Sequence, residues 1–182
     1  MSAPTPTKTP TLTWNTSSGA TGYSIYRDGT QIGSSTTATY TDTTAADGTH
    51  TYYVTATNSG GESSPSNTIS VVVDTVRPTV SVTPTAGSSL SGTVTFNITV
   101  SDNNPLDTTK NKSIWVYLYN TAGTQKHWGT KVDLSSGHGT FTVNTTLLDN
   151  GNANLDVGIV SDAAGNASGT GDNYFRNYTV VN

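Results

Sequence analysis

The sequence predicts an all-β chain folded as two tandem Greek-key β-sandwiches, and three observations predict it. Apolar and polar residues alternate with a period of two along most of the chain, and no stretch of ten or more residues carries apolar positions at helical spacing. Gly, Asn, Asp and Pro punctuate that alternation at the short intervals of sandwich turns. Thr, β-branched and suited to a pleated surface, makes up about a fifth of the residues. A length of 182 residues is long for one sandwich and comfortable for two.

In the first half, strands are predicted over residues 11–15, 22–27, 30–33, 37–42, 50–58 and 68–73. Asp28-Gly29, set between Tyr26 and Ile32, is a hairpin signal because the pair takes positive φ at little cost. Gly60-Gly61 marks a second turn. In the second half, strands are predicted over residues 79–84, 92–102, 113–120, 129–134, 139–146, 154–160 and 174–181. Val94, Phe96, Ile98 and Val100 share one face of 92–102 and polar residues the other, the pattern of a half-buried antiparallel strand. Leu155, Val157 and Ile159 alternate until Val160 breaks step, which predicts a bulge. Residues 1–10 read as a Thr/Pro linker or a cut chain end, 11–73 as one domain, 74–78 as a short Pro-stiffened linker and 79–182 as the second domain.

Residues 11–73 resemble a fibronectin type III domain of the compact bacterial kind. The resemblance rests on Leu12-x-Trp14, Gly22-Tyr23-x-Ile25-Tyr26-Arg27-Asp28-Gly29, Tyr40-Thr41-Asp42 and Tyr52-x-Val54-x-Ala56-x-Asn58, followed by Gly61-Glu62-Ser63 and Pro65-Ser66. It implies a core with Trp14 as the plug between sheets and Tyr23, Ile25, Tyr52, Val54 and Ala56 around it. His50 stands where the family usually has a corner tyrosine, so either that hydroxyl bond is missing or His50 replaces it. Residues 79–182 resemble the bacterial immunoglobulin-like (Big-type) repeats of large surface proteins. That resemblance rests on Asp74-x-x-x-Pro78, Gly92-x-Val94 and Ser161-Asp162-Ala163-Ala164-Gly165-Asn166. The resemblances imply an extracellular or cell-surface address, specified by a signal outside residues 1–182.

Composition narrows the function. Charged residues are 11% of the chain and the net charge is −4, with eight scattered Lys and Arg, so no basic footprint for nucleic acid exists. No apolar run reaches the length of a membrane span. There is no cysteine, which excludes disulfides and thiolate metal sites. The histidines are His50, His127 and His138, and no Gly-x-Ser-x-Gly elbow accompanies them, so no catalytic residue is assigned and no cofactor is required. Lys112 and Lys131 read as solvated lysines rather than crosslinking ones. Six Asn-x-Ser/Thr triplets begin at Asn15, Asn97, Asn111, Asn144, Asn166 and Asn177, a frequency that chance supplies in a chain this rich in Asn and Thr.

Two candidate sites remain. The first is calcium. In this topology Asp74, Asp102, Asn103, Asp107, Asp162 and Asn166 are expected at one pole of the second domain, near the domain junction, and calcium takes six to eight such oxygens. The plainer reading is that Asp and Asn only shape turns there. The second is an aromatic strip. In residues 113–120, Ile114, Val116 and Leu118 alternate with Trp115, Tyr117 and Tyr119, and either set can fill the core. With the aliphatic set inside, three rings line up outside about 6.8 Å apart, a platform of the kind that stacks sugars, and Trp128 with Tyr174-Phe175 would widen it.

The leading expectation is a structural, spacer and adhesion module whose partners are the neighbouring domains of a larger secreted or cell-surface protein. One alternative is a carbohydrate-binding module that meets polysaccharide or a host surface through the aromatic strip. The other is a self-assembling phage or pilus-type component joined through sheet edges.

Overall fold

The computed structural model describes residues 6–109, 111–112, 114–120, 127–168 and 174–182; for residues 120, 127, 128 and 174–176 it describes the backbone alone. Alternation dictates the architecture, and the described chain is almost entirely β. It divides into two compact units, Met1–Thr75 and Val76–Asn182.

The first unit holds β1 (Thr11–Thr13), β2 (Gly22–Arg27), β3 (Thr30–Ser35), β4 (Thr39–Thr41), β5 (Gly48–Asn58), β6 (Gly61–Glu62) and β7 (Ile69–Val73). One sheet pairs β1 with β4; the other runs β3-β2-β5-β6, with β7 also on β5. Asp28 and Gly29 close the β2–β3 hairpin with φ of 51° and 82°, the positive values that such a turn requires. The segment read as a linker or cut end belongs in part to this unit. Thr7 bridges Val73 in parallel, and the Pro10 carbonyl accepts from the Asp42 amide.

The core of this unit is small. Leu12, Ile25 and Tyr52 are buried, with Trp14, Ile32, Tyr40, Val54 and Val71 partly buried against them. Trp14 is therefore not the fully enclosed plug that the resemblance implies. It sits half-buried with its ring edge-on to Tyr23 at 5.3 Å. A unit this small encloses few large side chains completely, and the three-residue β1 ends one position before Trp14.

The second unit holds β8 (Thr79–Thr83), β9 (Ser89–Leu90), β10 (Thr93–Ser101), β11 (Ile114–Asn120), β12 (His127–Val132), β13 (His138–Asn144), β14 (Gly151–Val157) and β15 (Tyr174–Val180), with a 3₁₀ turn at Thr145–Leu147. Its sheets run β13-β10-β8 and β12-β11-β14-β15-β9, all antiparallel except β9 on β15. The inward faces meet in one core. Phe96 stacks on its cross-strand partner Phe141 at 4.9 Å and meets Tyr178 edge-on at 5.4 Å. Val94, Phe96, Ile98 and Val100 turn inward as their alternation predicts.

At Val160 the outcome differs from a bulge. Strand β14 ends at Val157, Ile159 points outward at 42% exposure and Val160 is fully buried. Val160 exchanges hydrogen bonds with Ser168, whose amide donates to its carbonyl and whose hydroxyl accepts from its amide. The broken step marks a strand end and a new turn rather than an inserted residue.

Candidate functional site

Strand β11 settles which of its faces is core. Ile114, Val116 and Leu118 are buried, while Trp115 is 47% exposed and Tyr117 and Tyr119 are half-buried. The cause is register. Val116 and Leu118 oppose Val157 and Leu155 of β14, both buried, whereas Tyr117 and Tyr119 oppose Asp156 and Asn154. On the other side Trp115 opposes Lys131, Tyr117 opposes Gly129 and Tyr119 opposes His127.

Trp115 and Tyr117 sit closer than the repeat of alternate strand positions. Trp115 and Tyr117 stack on one another with centroids 5.6 Å apart and planes 13° from parallel. The Lys131 ammonium lies 5.3 Å from the Trp115 centroid, a cation–π contact. Tyr117 covers Gly129, where an added Cβ would come within 2.6 Å of the ring. The result is a compact aromatic pair with a cation beside it. Trp128 lies opposite Leu118 in the register, and its side chain, like those of Tyr174 and Phe175, is outside the described residues. Beside the pair, burial raises the Asp156 carboxyl above its ordinary value. Its Oδ1 is enclosed with no hydrogen-bond partner among the described residues.

The acidic pole of the second unit is built by two loops. The loop after β10 clamps the turn at 161–166: Leu106 bridges Asp162, the Asp107 amide donates to Ser161 O, and the Ala163 amide donates to Pro105 O. Buried Asn111 holds both sides of the Ser161 peptide, donating from Nδ2 to its carbonyl at 2.7 Å and accepting from its amide at 3.0 Å. The expected residues then separate by role. Asp107 spends Oδ1 on the Thr109 amide and hydroxyl, a local turn. Asn103 is exposed, and Asn166 is buried with its amide on Asp162 Oδ1 at 2.7 Å. Asp102 and Asp162 converge, with carboxylate oxygens within 4.8 Å of each other. Asp74 belongs to the first unit, where its amide donates to Thr7 O. Because Asn111 and Asn166 are buried, neither of those two triplets offers an accessible amide for glycosylation.

Residues that the sequence named only as motif or core positions make a polar cluster in the first unit. Asp42, 1% exposed, accepts from Arg27 at 2.6 Å, the Tyr52 hydroxyl at 3.0 Å, and the Thr44 amide and hydroxyl at 2.8 Å each. Burial would raise this carboxyl, but the Thr44, Tyr52 and Arg27 donors together hold it below its ordinary value. Burial, then the facing carboxylate, pushes the Tyr52 hydroxyl up to about 12. The usable signal was the opposite charge of Arg27 and Asp42, a signal too weak to pair them across 15 residues.

His50 takes over the corner. Its Nε2 bonds Ala46 O at 2.9 Å and its Nδ1 bonds Asp28 Oδ2 at 2.6 Å, so it ties the β4–β5 loop to the β2–β3 hairpin. Both partners are acceptors, so both bonds together require the doubly protonated ring. The Asp28 bond and then the Ala46 carbonyl raise the imidazole above its ordinary value, while His50 and the Thr51 amide lower Asp28 to about 2. With both nitrogens occupied, His50 has no lone pair to activate a nucleophile. Among the described residues no serine, histidine and carboxylate converge.

No family model matches the chain. It is similar to Exoglucanase B of Cellulomonas fimi, 36% identical over 173 residues, which is 89% of this chain and 15% of the exoglucanase. That alignment is long enough to take in both units. It is also similar to a poly(3-hydroxybutyrate) depolymerase of Ralstonia pickettii, 43% identical over 61 residues, 32% of this chain and 12% of the depolymerase. The chain thus spans under a sixth of either relative. Among solved structures, a marsupial T cell receptor aligns over 96% of this chain and 69% of its own at 10% identity and a TM-score of 0.50, a likeness of fold.

Proposed function

We propose that the chain is a non-catalytic accessory module of a larger extracellular enzyme that degrades a polymer. In this reading a fibronectin type III-like unit and a bacterial immunoglobulin-like repeat act as spacers for a catalytic domain elsewhere. The observation that carries it is the exoglucanase alignment, which takes up 89% of this chain and 15% of that enzyme. A stretch so small a part of a glucan-acting enzyme, with no acid, base and nucleophile brought together among its described residues, is suited to support rather than to chemistry. The test assays the 182-residue chain alone on soluble β-glucan, cellulose and poly(3-hydroxybutyrate). No release of product above blank is expected. Turnover by the chain alone would overturn the reading.

A second reading has its own support. The Trp115–Tyr117 pair with Lys131 beside it lies on the outward face of β11, a surface able to contact a sugar polymer through ring edges and one partly open indole. Retention of the chain on insoluble cellulose, lost in Trp115→Ala, is the expected result. Equal depletion by both chains, or by neither, rules the contact out.

A further inference from the structure

We propose that the second unit binds a divalent cation of the calcium class at the pole formed by Asp102 and Asp162. This inference does not rest on the accessory-module reading, since it concerns one pair of side chains within one unit.

Asp162 is fully buried. Its Oδ1 accepts from the Asn166 amide, but its Oδ2 is enclosed with no hydrogen-bond partner among the described residues. Removing an anionic oxygen from water without a donor or cation is costly, and a second carboxylate nearby adds repulsion. A carboxylate oxygen of Asp102 lies within 4.8 Å of one of Asp162. Calcium binds oxygen at about 2.3–2.6 Å, so two of its ligands stand at most about 5 Å apart. The observed spacing therefore admits one ion between the two carboxylates.

The surroundings are preorganised for it. The Leu106–Asp162 bridge, the Pro105–Ala163 bond and the two Asn111–Ser161 bonds hold the Asp162 backbone from the loop after β10. Asp162 also accepts from the Gly165 amide and donates to Asn166 O, with Gly165 at φ 84° closing the turn. The donors are hard oxygens with no histidine or cysteine among them, which selects calcium over zinc or copper. Remaining coordination positions fall to backbone carbonyls, amide oxygens and water.

The experiment is calorimetric, on the intact chain stripped with chelator. Calcium is titrated in, and thermal unfolding is followed with and without 10-fold excess chelator. Saturable binding heat at one ion per chain and a rise in Tm of the second unit are expected. Asp162→Asn, which keeps an acceptor for the Asn166 amide, is expected to lose both. Asp102→Asn, at a partly exposed position, gives the same readout should Asp162→Asn fail to fold. Asp133→Asn, on the surface, is the control that keeps both. No heat and no Tm change up to 10 mM calcium in the unaltered chain would overturn the site. So would an undiminished response in both Asp102→Asn and Asp162→Asn, or a response to magnesium with none to calcium.

Discussion

The Tyr52 hydroxyl offers the sharpest test of how the first unit is held together. Tyr52→Phe removes one atom from a side chain that is 1% exposed and leaves the ring packing on Leu12 and Ile25 intact. The lost bond runs 3.0 Å to an ionised, buried carboxylate. Hydrogen bonds to charged groups contribute about 1.5–3 kcal/mol each. In a unit of 75 residues each kcal/mol shifts Tm by about 4–8 °C, so a fall of about 6–24 °C is expected. Asp42→Ala goes further, because it strands the Arg27 guanidinium, the Tyr52 hydroxyl and the Thr44 amide at once. Breaking a buried pair in that way costs about 3–5 kcal/mol, which approaches the whole stability of a domain this size. Scanning calorimetry resolves the two units, and hydrogen exchange of the β5 amides assigns the first-unit transition. A Tyr52→Phe chain within about 0.5 kcal/mol of the parent would refute the reasoning, since surface-like substitutions fall in that range. The cluster would then be a consequence of the fold rather than a support of it.

Further expectations follow from single contacts. The Asp28–His50 bond makes first-unit stability depend on pH. His50 is raised, so its contribution is present below about pH 6.5 and is lost as pH rises through the higher folded value. Asp28, lowered to about 2, contributes above its ordinary carboxyl range and loses that contribution as pH falls through about 2. Urea midpoints should therefore decline as pH rises above about 6.5, and His50→Gln should flatten that decline. Gly139→Ala should destabilise the second unit by about 1–3 kcal/mol, because the new Cβ would lie 2.6 Å from Leu134 Cδ2 and 2.9 Å from Asp133 O; denaturant melts measure it. Leu118→Ala, at a fully buried site, should cost about 2–5 kcal/mol, whereas Trp115→Ala on the opposite face should cost less than about 1 kcal/mol in the same melts.

Local pattern made much of this molecule legible. The Asp28-Gly29 hairpin, the inward run Val94-Phe96-Ile98-Val100 and most strand positions follow from period-two alternation and turn chemistry, which neighbouring residues dictate among themselves. The candidate acidic pole was partly legible, and the structure does bring the end of β10 and the 161–166 turn together. It was not legible that Asp107 would be consumed by its own turn while Asp162 would be buried. Residues 114–119 show the limit most clearly. Aliphatic and aromatic residues alternate there with comparable hydrophobicity, so the strand alone has no preferred inside. Register decided it: Val157 and Leu155 on β14 oppose Val116 and Leu118, while Asp156 and Asn154 oppose the tyrosines, and only pairing with that strand buries one face at the expense of the other. Trp14 and His50 likewise took their roles from partners distant in the chain. Sequence determines which residues share a face; packing between sheets determines which face is kept from water, because burial is a property of the neighbours a residue acquires.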